Sequence, residues 1–386
     1  MTAGASPPPP AGEPGSGSAA APPVRGTCHL YFAFDIGFSI QLDEVERMIE
    51  LRKVRATLPR RRRAPPHFQY QPPPLRVTQP AGVVAVAGFH TLEQVDVVLY
   101  DFGAASLAYQ IPLAGTLADL IRLSEALYEH AGLAAAARDQ VAQLLGRIRP
   151  AVHRPAVSDA VEDYAVYHLA ALAGSPAPSE FVMQHGPDVA QLLRAEQAAL
   201  SAQEIEDALL VQVSFSEGDV AVVDWNAALV LDPDPGDVLS VLEYANVQLL
   251  EMRYLDHELD EALEASYVVL TRPAWRRRVL LGRFAADLRQ VALLQADSAI
   301  MFEAATHSLK LLGDQYLARL YRAVSGRFRL GAWDASIRQK LAALDSIYTK
   351  LADRQQSSRL EVLEWIIIVL IALSIVVSLL PGLAGH

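Results

Sequence analysis

The sequence predicts an α+β protein: a duplicated strand-helix-strand-strand-helix body, followed by a long-helix stalk and a C-terminal transmembrane helix. Three observations predict this class. Short apolar runs bounded by turn residues occur in residues 27–150 and recur in residues 160–270. Apolar residues at helical spacing follow in residues 274–360, which contain no proline. The chain then enters an apolar segment, 363–383, in which no residue after Glu364 is charged.

The charge and composition of the chain argue against several classes of function. The net charge of -11 gives no general case for binding nucleic acid or anionic lipid. A single cysteine, Cys28, excludes a disulfide framework and any zinc site built from several cysteines, and it agrees with a reducing compartment. Cys28 itself fits a small core residue better than a nucleophile. Residues 1–26 are rich in Pro, Gly, Ala and Ser and predict a disordered tail.

The first half of the body, residues 27–150, begins with a buried strand. Residues from Cys28 to Ile40 are mostly apolar and aromatic, and they predict a strand that turns at Asp35 to Gly37. A helix with apolar residues at helical spacing begins at Leu42. The remaining predicted elements are the strands Val83–Gly88, Val95–Asp101 and Ala105–Ile111, a helix from Thr116 to Glu129 that Thr116 caps, and a helix from Leu133 to Ile148.

A basic, proline-rich segment interrupts this half. Residues 52–80 contain seven prolines and no acidic residue, and Arg60, Arg61, Arg62 and Arg63 are consecutive. The prolines prevent a helix and predict a solvated, mobile loop. An alternative is an electrostatic contact of Arg60–Arg63 with an anion such as a lipid headgroup or RNA phosphate.

The second half, residues 160–270, repeats the order of the first. Its predicted strands are Tyr164–Leu169, Leu209–Phe215, Val220–Asp224 and Ala227–Leu231, and a long helix begins near Gly236. Residues 98–105 align with residues 221–228, and in both segments a strand ends in Asp, an aromatic residue and then Gly or Asn. Gly and Asn tolerate positive φ, so both segments predict a tight hairpin turn. We interpret the match as a duplication, with chance similarity between two hairpins as the alternative.

The stalk carries an apolar seam. Its helices are predicted at about Trp275–Leu312, Asp314–Phe328 and from near Asp334 onward. In the last helix, apolar residues recur alternately four and three residues apart, which is typical of a coiled-coil seam. The seam residues are Ile337, Leu341, Leu344, Tyr348 and Leu351. Their partner is either the Trp275–Leu312 helix or a second copy of the chain, and we expect a homo-oligomer that assembles through the stalk.

The apolar segment after the seam predicts a membrane anchor. A helix of about 17 to 25 apolar residues spans a bilayer, and a buried core helix or an oligomer seam is the alternative. Lys350, Arg354 and Arg359 precede the segment, so the positive-inside rule places the N-terminal body in the cytoplasm. The predicted anchor residues are Trp365, Ile366, Ile367, Ile368, Val369, Leu370, Ile371, Ala372, Leu373, Ser374, Ile375, Val376, Val377, Ser378, Leu379 and Leu380.

One helix face offers candidate chemistry. Arg253, Asp256, Asp260 and Glu264 recur at helical spacing, and His257 is adjacent. Three carboxylates and a histidine could hold a divalent ion or act as acid and base. The simpler interpretation is a solvated or interhelical polar face in which Arg253 pairs with Asp256. No phosphate-binding loop, dinucleotide fingerprint or nucleophile elbow is present in the sequence, so we predict no catalytic residue, metal ligand or cofactor.

Three motifs in order resemble the required-for-meiotic-nuclear-division family, also called the YagE-like domain of unknown function. They are the hairpin Val223-Asp224-Trp225, the helix segment 249–260 and the tripeptide Leu363-Glu364-Trp365. The helix motif includes Glu251, Arg253, Asp256 and Asp260. The resemblance covers about residues 160–382. It implies a link to translation, as in mitochondrial inner-membrane relatives, and no catalytic residues.

The expected function is therefore a non-enzymatic scaffold or tether on the cytoplasmic face of a membrane. The expected partners are the lipid bilayer and a second copy of the chain, a ribosome or RNA is a further candidate, and no small-molecule substrate is identified. Two alternatives remain. One is a metal-dependent enzyme that uses Asp256, Asp260 and Glu264, and the other is an RNA-binding or ribosome-binding protein that uses Arg60–Arg63.

Overall fold

The computed structural model describes residues 23–55, 73–172, 177–271, 296 and 315–379. The described strands are β1 (Val24–Asp35), β2 (Ser39–Ile40), β3 (Arg52–Arg55), β4 (Leu75–Pro80), β5 (Ala85–Val86), β6 (Phe89–His90), β7 (Gln94–Leu99), β8 (Ala104–Gly115), β9 (Val152–His153), β10 (Glu162–Leu172), β11 (Gln212–Val213), β12 (Val220–Val223) and β13 (Ala227–Leu231). The described α-helices are α1 (Leu42–Met48), α2 (Leu117–Leu127), α3 (Ala131–Ile148), α4 (Pro178–Gln184), α5 (Gly186–Arg194), α6 (Ala202–Ala208), α7 (Gly236–Thr271), α8 (Gln315–Arg327) and α9 (Leu330–Leu379).

One nine-stranded sheet runs through the body, in the order β11-β12-β13-β10-β1-β8-β7-β4-β3. The strand β1 pairs antiparallel with β8 on one side and with β10 on the other, so both of its edges are satisfied. Successive side chains of a strand point to opposite faces. Leu30 and Phe32 of β1 therefore enter one hydrophobic core, and Tyr31 and Ala33 enter a second core on the opposite face.

Helices cover both faces of the sheet. The first core includes apolar residues of α1, α2, α3 and α5, and the second includes apolar residues of α7 and α8. Burial on both faces explains why β1 is a nearly continuous apolar run instead of an alternating one. The predicted mixed α+β class is confirmed by this arrangement.

Several local predictions can be compared with the structure. Thr116 caps α2 as predicted, because its hydroxyl accepts from the amide of Asp119 and its own amide donates to the Asp119 carboxylate at 2.8 Å. Residues 24–26, assigned to the tail, begin β1. The predicted loop at 52–80 begins as β3 and ends as β4, because Arg52–Arg55 pairs with Leu75–Thr78.

The proposed duplication has one feature for it and one against it. The hairpins β7–β8 and β12–β13 are both antiparallel, as the aligned segments predict. However, β8 pairs antiparallel with β1, whereas β13 pairs parallel with β10. The two halves therefore join the sheet centre differently, and the duplication stays a prediction.

The seam of the stalk packs inside the chain. Ile337 and Leu344 of α9 are fully buried against Met252, Leu255 and Leu259 of α7. The helix that faces the seam is thus α7, which is neither of the two predicted partners. The predicted helix Trp275–Leu312 lies outside the described residues apart from residue 296, and self-association stays a prediction.

The predicted membrane anchor requires a correction. The helix α9 continues through Trp365 and ends at Leu379, and Leu380 lies outside the described residues. Across the residues that the structure describes, no helix is both long and apolar enough to cross a membrane. This finding contradicts the predicted single-pass protein with a transmembrane helix and a cytoplasmic body, so that prediction is wrong. It was based on an uncharged run, and such a run is equally suited to an apolar helix contact.

Candidate functional site

A cleft of about 630 Å³ opens where the sheet meets the helices α5, α7 and α8. Charged and aromatic side chains dominate its walls. The lining residues are Tyr128, Glu129, Glu162, Asp163, Arg194, Asp207, Trp225, Asn226, Leu249, Arg253, Arg327, Phe328, Arg329 and Trp333. Segments far apart in the sequence thus meet at one place, which makes the cleft the candidate functional site of the described residues.

A buried carboxylate lies behind the cleft. Asp224 follows β12, and its side chain is completely inaccessible to solvent. Its Oδ2 lies 2.6 Å from Nε of Arg194, and its Oδ1 accepts from Nε of Arg327 at 2.7 Å. The same Oδ1 also accepts from the amide of Trp225 at 2.7 Å. A buried charge needs such partners, because an unpaired one is strongly unfavourable.

A second carboxylate bridges the same two arginines at the surface. Oδ2 of Asp207 lies 2.5 Å from Nη2 of Arg194 and 2.6 Å from Nη2 of Arg327. Hydrogen bonds from Arg327 and then Arg194 lower the pKa of Asp207 to about 2, although partial burial opposes this shift. Hydrogen bonding to Asp207 likewise raises the pKa of Arg327 above its usual range. We call these four residues, Arg194, Asp207, Asp224 and Arg327, the ion-pair clasp.

The clasp connects helix ends to the sheet. Arg194 is the last residue of α5 and Arg327 is the last residue of α8, positions at which a cation also interacts favourably with the helix dipole. Asp207 belongs to α6, and Asp224 belongs to the β12–β13 turn. Nearby, the Tyr164 hydroxyl donates to the backbone carbonyl of Asp224 at 2.9 Å. The clasp therefore fastens α8, and with it the start of α9, to the body.

The opposite wall of the cleft is acidic. Arg253 pairs with Glu162, not with Asp256 as the sequence analysis suggested. Burial raises the pKa of Glu162 to about 7, because desolvation exceeds the effect of Arg253. Burial and then the neighbouring Glu129 raise the pKa of Asp163, even though a backbone hydrogen bond opposes this. Glu162 therefore carries less than full negative charge near neutral pH.

The face proposed for a metal is occupied by a lysine. Nζ of Lys340, from α9, lies 2.8 Å from Asp256 and 2.7 Å from Asp260. Burial alone would lower the pKa of Lys340, but hydrogen bonds to the two carboxylates raise it overall. Glu264 lies exposed on the same helix. No group of three or more His, Cys, Asp or Glu side chains that could hold a metal ion occurs in the described part of the chain. The contacts of Lys340 favour the structural interpretation.

The remaining predicted site residues lie elsewhere. Glu251 is buried on the side of α7 that packs on the sheet. Arg60, Arg61, Arg62 and Arg63 lie outside the described residues. The sequence places Asp224 in a hairpin turn and in the family motif, but it does not predict Asp224, Arg194, Asp207 or Arg327 as site residues. A basic residue at the end of a helix was the available signal, but many surface helices end that way.

The fold and the clasp describe an α+β protein in which a nine-stranded sheet body is followed by the helices α7, α8 and α9. The chain belongs to the family described as "Uncharacterized protein MJ0711, N-terminal domain", whose model matches residues 25–238. That range includes the whole nine-stranded sheet and three clasp residues, and it ends at the start of α7.

The chain is similar to one named relative. It is 26% identical over 223 residues to the Uncharacterized protein MJ0711 of Methanocaldococcus jannaschii. The aligned part covers 57% of this chain and 66% of that protein, so the chain spans just under two thirds of the relative's length. No solved structure matches the chain.

Proposed function

We propose that the protein is a non-enzymatic scaffold in which the sheet body supports a protruding helix, α9, that associates with a second copy of the chain. The observation that carries this proposal is the exposed apolar end of α9. Ile367, Ile368, Val369, Leu370 and Ile371 are consecutive, and each is 50 to 58% exposed. Such a surface is costly in water and is typical of an interaction site.

The charged groups of the cleft support a structural role. The arginines at positions 194 and 327 are held by Asp207 and Asp224, and Arg253 is held by Glu162. Groups that neutralise each other across elements hold those elements together, which is what a scaffold requires. A catalytic role would instead need a base or nucleophile placed for a substrate.

The register of α9 favours a second copy as the occupant. The spacing of four and three that places Ile337 and Leu344 against α7 continues along the helix to Trp365, Val369 and Ala372. The first part of the stripe thus makes a contact inside the chain, and we propose that its last part contacts another chain. An identical helix matches the spacing of this stripe, and a symmetric pair would bury the patch of each copy against that of the other.

The experiment is analytical ultracentrifugation of the full chain in a mild non-ionic detergent. We expect the wild-type chain to sediment as an oligomer and Val369→Asp to sediment as a monomer, because the new carboxylate would lie in the seam. Ile367→Asp is the matched comparison: it belongs to the same apolar patch but lies outside the four-three stripe, on another side of the helix from Val369, and should weaken the oligomer clearly less.

Two results would overturn the proposal. A monomeric wild-type chain would show that the apolar end of α9 has no copy of itself as partner. Equal behaviour of Val369→Asp and Ile367→Asp would show that the four-three stripe is not the contact. Circular dichroism of each variant checks that the body stays folded.

A finer family assignment is a second proposal. We propose that the chain is related to the YagE-like family, and the contacts of its helix motif support this. Arg253 pairs with Glu162, Asp256 pairs with Lys340, and Glu251 is buried against the sheet. Each of these motif residues thus forms an ion pair between elements or is buried. A solved structure of a YagE-like protein should show the same contacts, and different partners at these positions would argue against the relationship.

A further inference from the structure

Two buried carboxyls, Asp35 and Glu251, lie where α7 packs on β1, and they interact electrostatically. Asp35 is the last residue of β1, and Glu251 lies in the fifth turn of α7. They are 5% and 4% exposed. Oδ2 of Asp35 and Oε1 of Glu251 have no hydrogen-bond partner among the described residues. Buried polar atoms are normally paired, so two orphaned carboxylate oxygens at one contact require an explanation.

The surroundings of the pair add negative charge and no described cation. Tyr254 and Glu258 follow Glu251 by three and seven residues, so they share its face of α7. Glu258 acts electrostatically on Asp35, and the ring hydroxyl of Tyr254 lies close enough to respond to all three carboxyls. On the strand side, the backbone amide of Gly37 donates to Asp35. Among the described residues, neither Asp35 nor Glu251 belongs to an ion pair.

Such an arrangement is stable only when the pair is not fully charged. Burial, partly opposed by the Gly37 amide, raises the pKa of Asp35 to about 7. Burial and the neighbouring Asp35 raise the pKa of Glu251 well above its usual range. Two close carboxyls in a buried site cannot both ionise cheaply, and the two titrate as one unit.

We propose that Asp35 and Glu251 share a proton at neutral pH, and that this protonated pair is a pH-sensitive latch between the sheet and α7. With the proton in place, the buried pair carries one negative charge instead of two, which lowers the cost of keeping both carboxyls out of water. When the proton leaves, two buried negative charges repel each other across the contact. The helix α7 then loosens from β1, and the α9 helix that packs on α7 is loosened from the body with it.

The sign of the pH dependence follows from linkage. Both carboxyls hold their protons more tightly in the folded chain than in the unfolded chain, where they titrate near pH 4. Their contribution to stability is therefore complete below about pH 4 and is lost as the pH rises through the folded pKa values. His29 has the opposite sign, because burial and His168 lower its pKa to about 4. The contribution of His29 to the stability of the fold changes only below about pH 6.5, so the effect of the latch is best measured above that pH.

The experiment is hydrogen–deuterium exchange of the full chain from pH 6.5 to 9, read by mass spectrometry and corrected for the intrinsic rate. Peptides from the start of α7 and from β1 should open more as the pH rises. One released proton allows at most about a tenfold increase in the opening constant per pH unit, levelling off when the folded pair is ionised. Glu251→Gln keeps the shape but cannot ionise, and it should flatten this profile.

Two further variants separate the latch from other groups. Glu264→Gln changes an exposed carboxyl on the same helix and should leave the profile unchanged. Glu162→Gln removes the cleft carboxyl that also has a pKa of about 7 and that pairs with Arg253 of α7, so it can change the profile of α7 but should leave the pH-dependent opening of β1 in place. If Glu162→Gln abolishes the pH-dependent opening of β1, or if Glu251→Gln retains the wild-type slope, the latch is refuted. If a variant fails to fold, the wild-type chain alone provides the test. An exchange profile of β1 and α7 that does not change with pH, after correction for the intrinsic rate, refutes the latch.

Discussion

The ion-pair clasp gives the sharpest stability prediction. Asp224→Asn keeps the size of a fully buried side chain and removes its charge. Arg194 and Arg327, whose side chains are only 15% and 14% exposed, would then retain the surface carboxylate Asp207 and lose the buried one. Removing one partner of a buried ion pair costs about 3 to 5 kcal/mol, because the other charge stays buried without compensation. We expect Asp224→Asn to lower the free energy of unfolding by about 3 kcal/mol or more.

A matched substitution at the other end of the clasp should behave differently. Asp207 contacts the same two arginines, but its side chain is 47% exposed. Exposed ion pairs contribute about 0 to 1 kcal/mol because water screens them. Asp207→Asn should therefore cost about 1 kcal/mol or less. The two variants remove the same charge from the same cluster, so burial is the main difference between them.

Urea denaturation followed by far-UV circular dichroism measures both variants. A double-mutant cycle that combines Asp224→Asn with Arg327→Gln isolates their coupling, which we expect at about 1 to 3 kcal/mol for a direct contact. The reasoning is refuted if Asp224→Asn costs no more than Asp207→Asn. It is also refuted if the coupling energy is zero, since the clasp would then not be formed in solution.

Three further predictions concern packing and reactivity. Leu344→Ala should cost about 2 to 5 kcal/mol in urea denaturation because Leu344 is fully buried against α7, and the partly exposed Leu341→Ala should cost clearly less. Gly103→Ala should prevent folding, seen as loss of the cooperative thermal transition. Gly103 has φ of +104°, and an added Cβ would lie 1.7 Å from the carbonyl oxygen of Gly37. Cys28 should react with a thiol reagent only after unfolding, because burial raises the pKa of its thiol above the usual range; rapid labelling of the folded chain would contradict its position.

Individual strands and helices could be predicted where neighbouring residues in the sequence define them. The apolar run that begins at Cys28 predicted β1, and the Thr116 cap predicted the start of α2 within one residue. The long helix from Gly236 was predicted to within one residue of its end. In each case the signal lies in neighbouring residues: a run, a cap or a spacing.

Pairing across long sequence separations was not predictable. The stripe that contains Ile337 and Leu344 indicated that a partner exists, but nothing in it names α7. Asp224 was found because its hairpin resembles another one, yet its charge partners lie 30 and 103 residues away. The apolar end of α9 led to a wrong conclusion for the same reason. A stripe or an uncharged run shows that its side chains avoid water, but it does not show which residues they contact.

The position of β1 at the middle of the sheet has a consequence for synthesis. β1 leaves the ribosome before its partner strands, which end at Gly115 and Leu172. At about 5 to 20 residues per second, roughly 7 to 27 seconds separate the end of β1 from the end of β10. Until β8 has emerged, neither edge of β1 has its native partner, and until β10 has emerged one edge stays unpaired and the core around Phe32 and Phe34 stays incomplete. The nascent chain should therefore depend on a chaperone that protects its first apolar strand until the second half of the sheet has emerged.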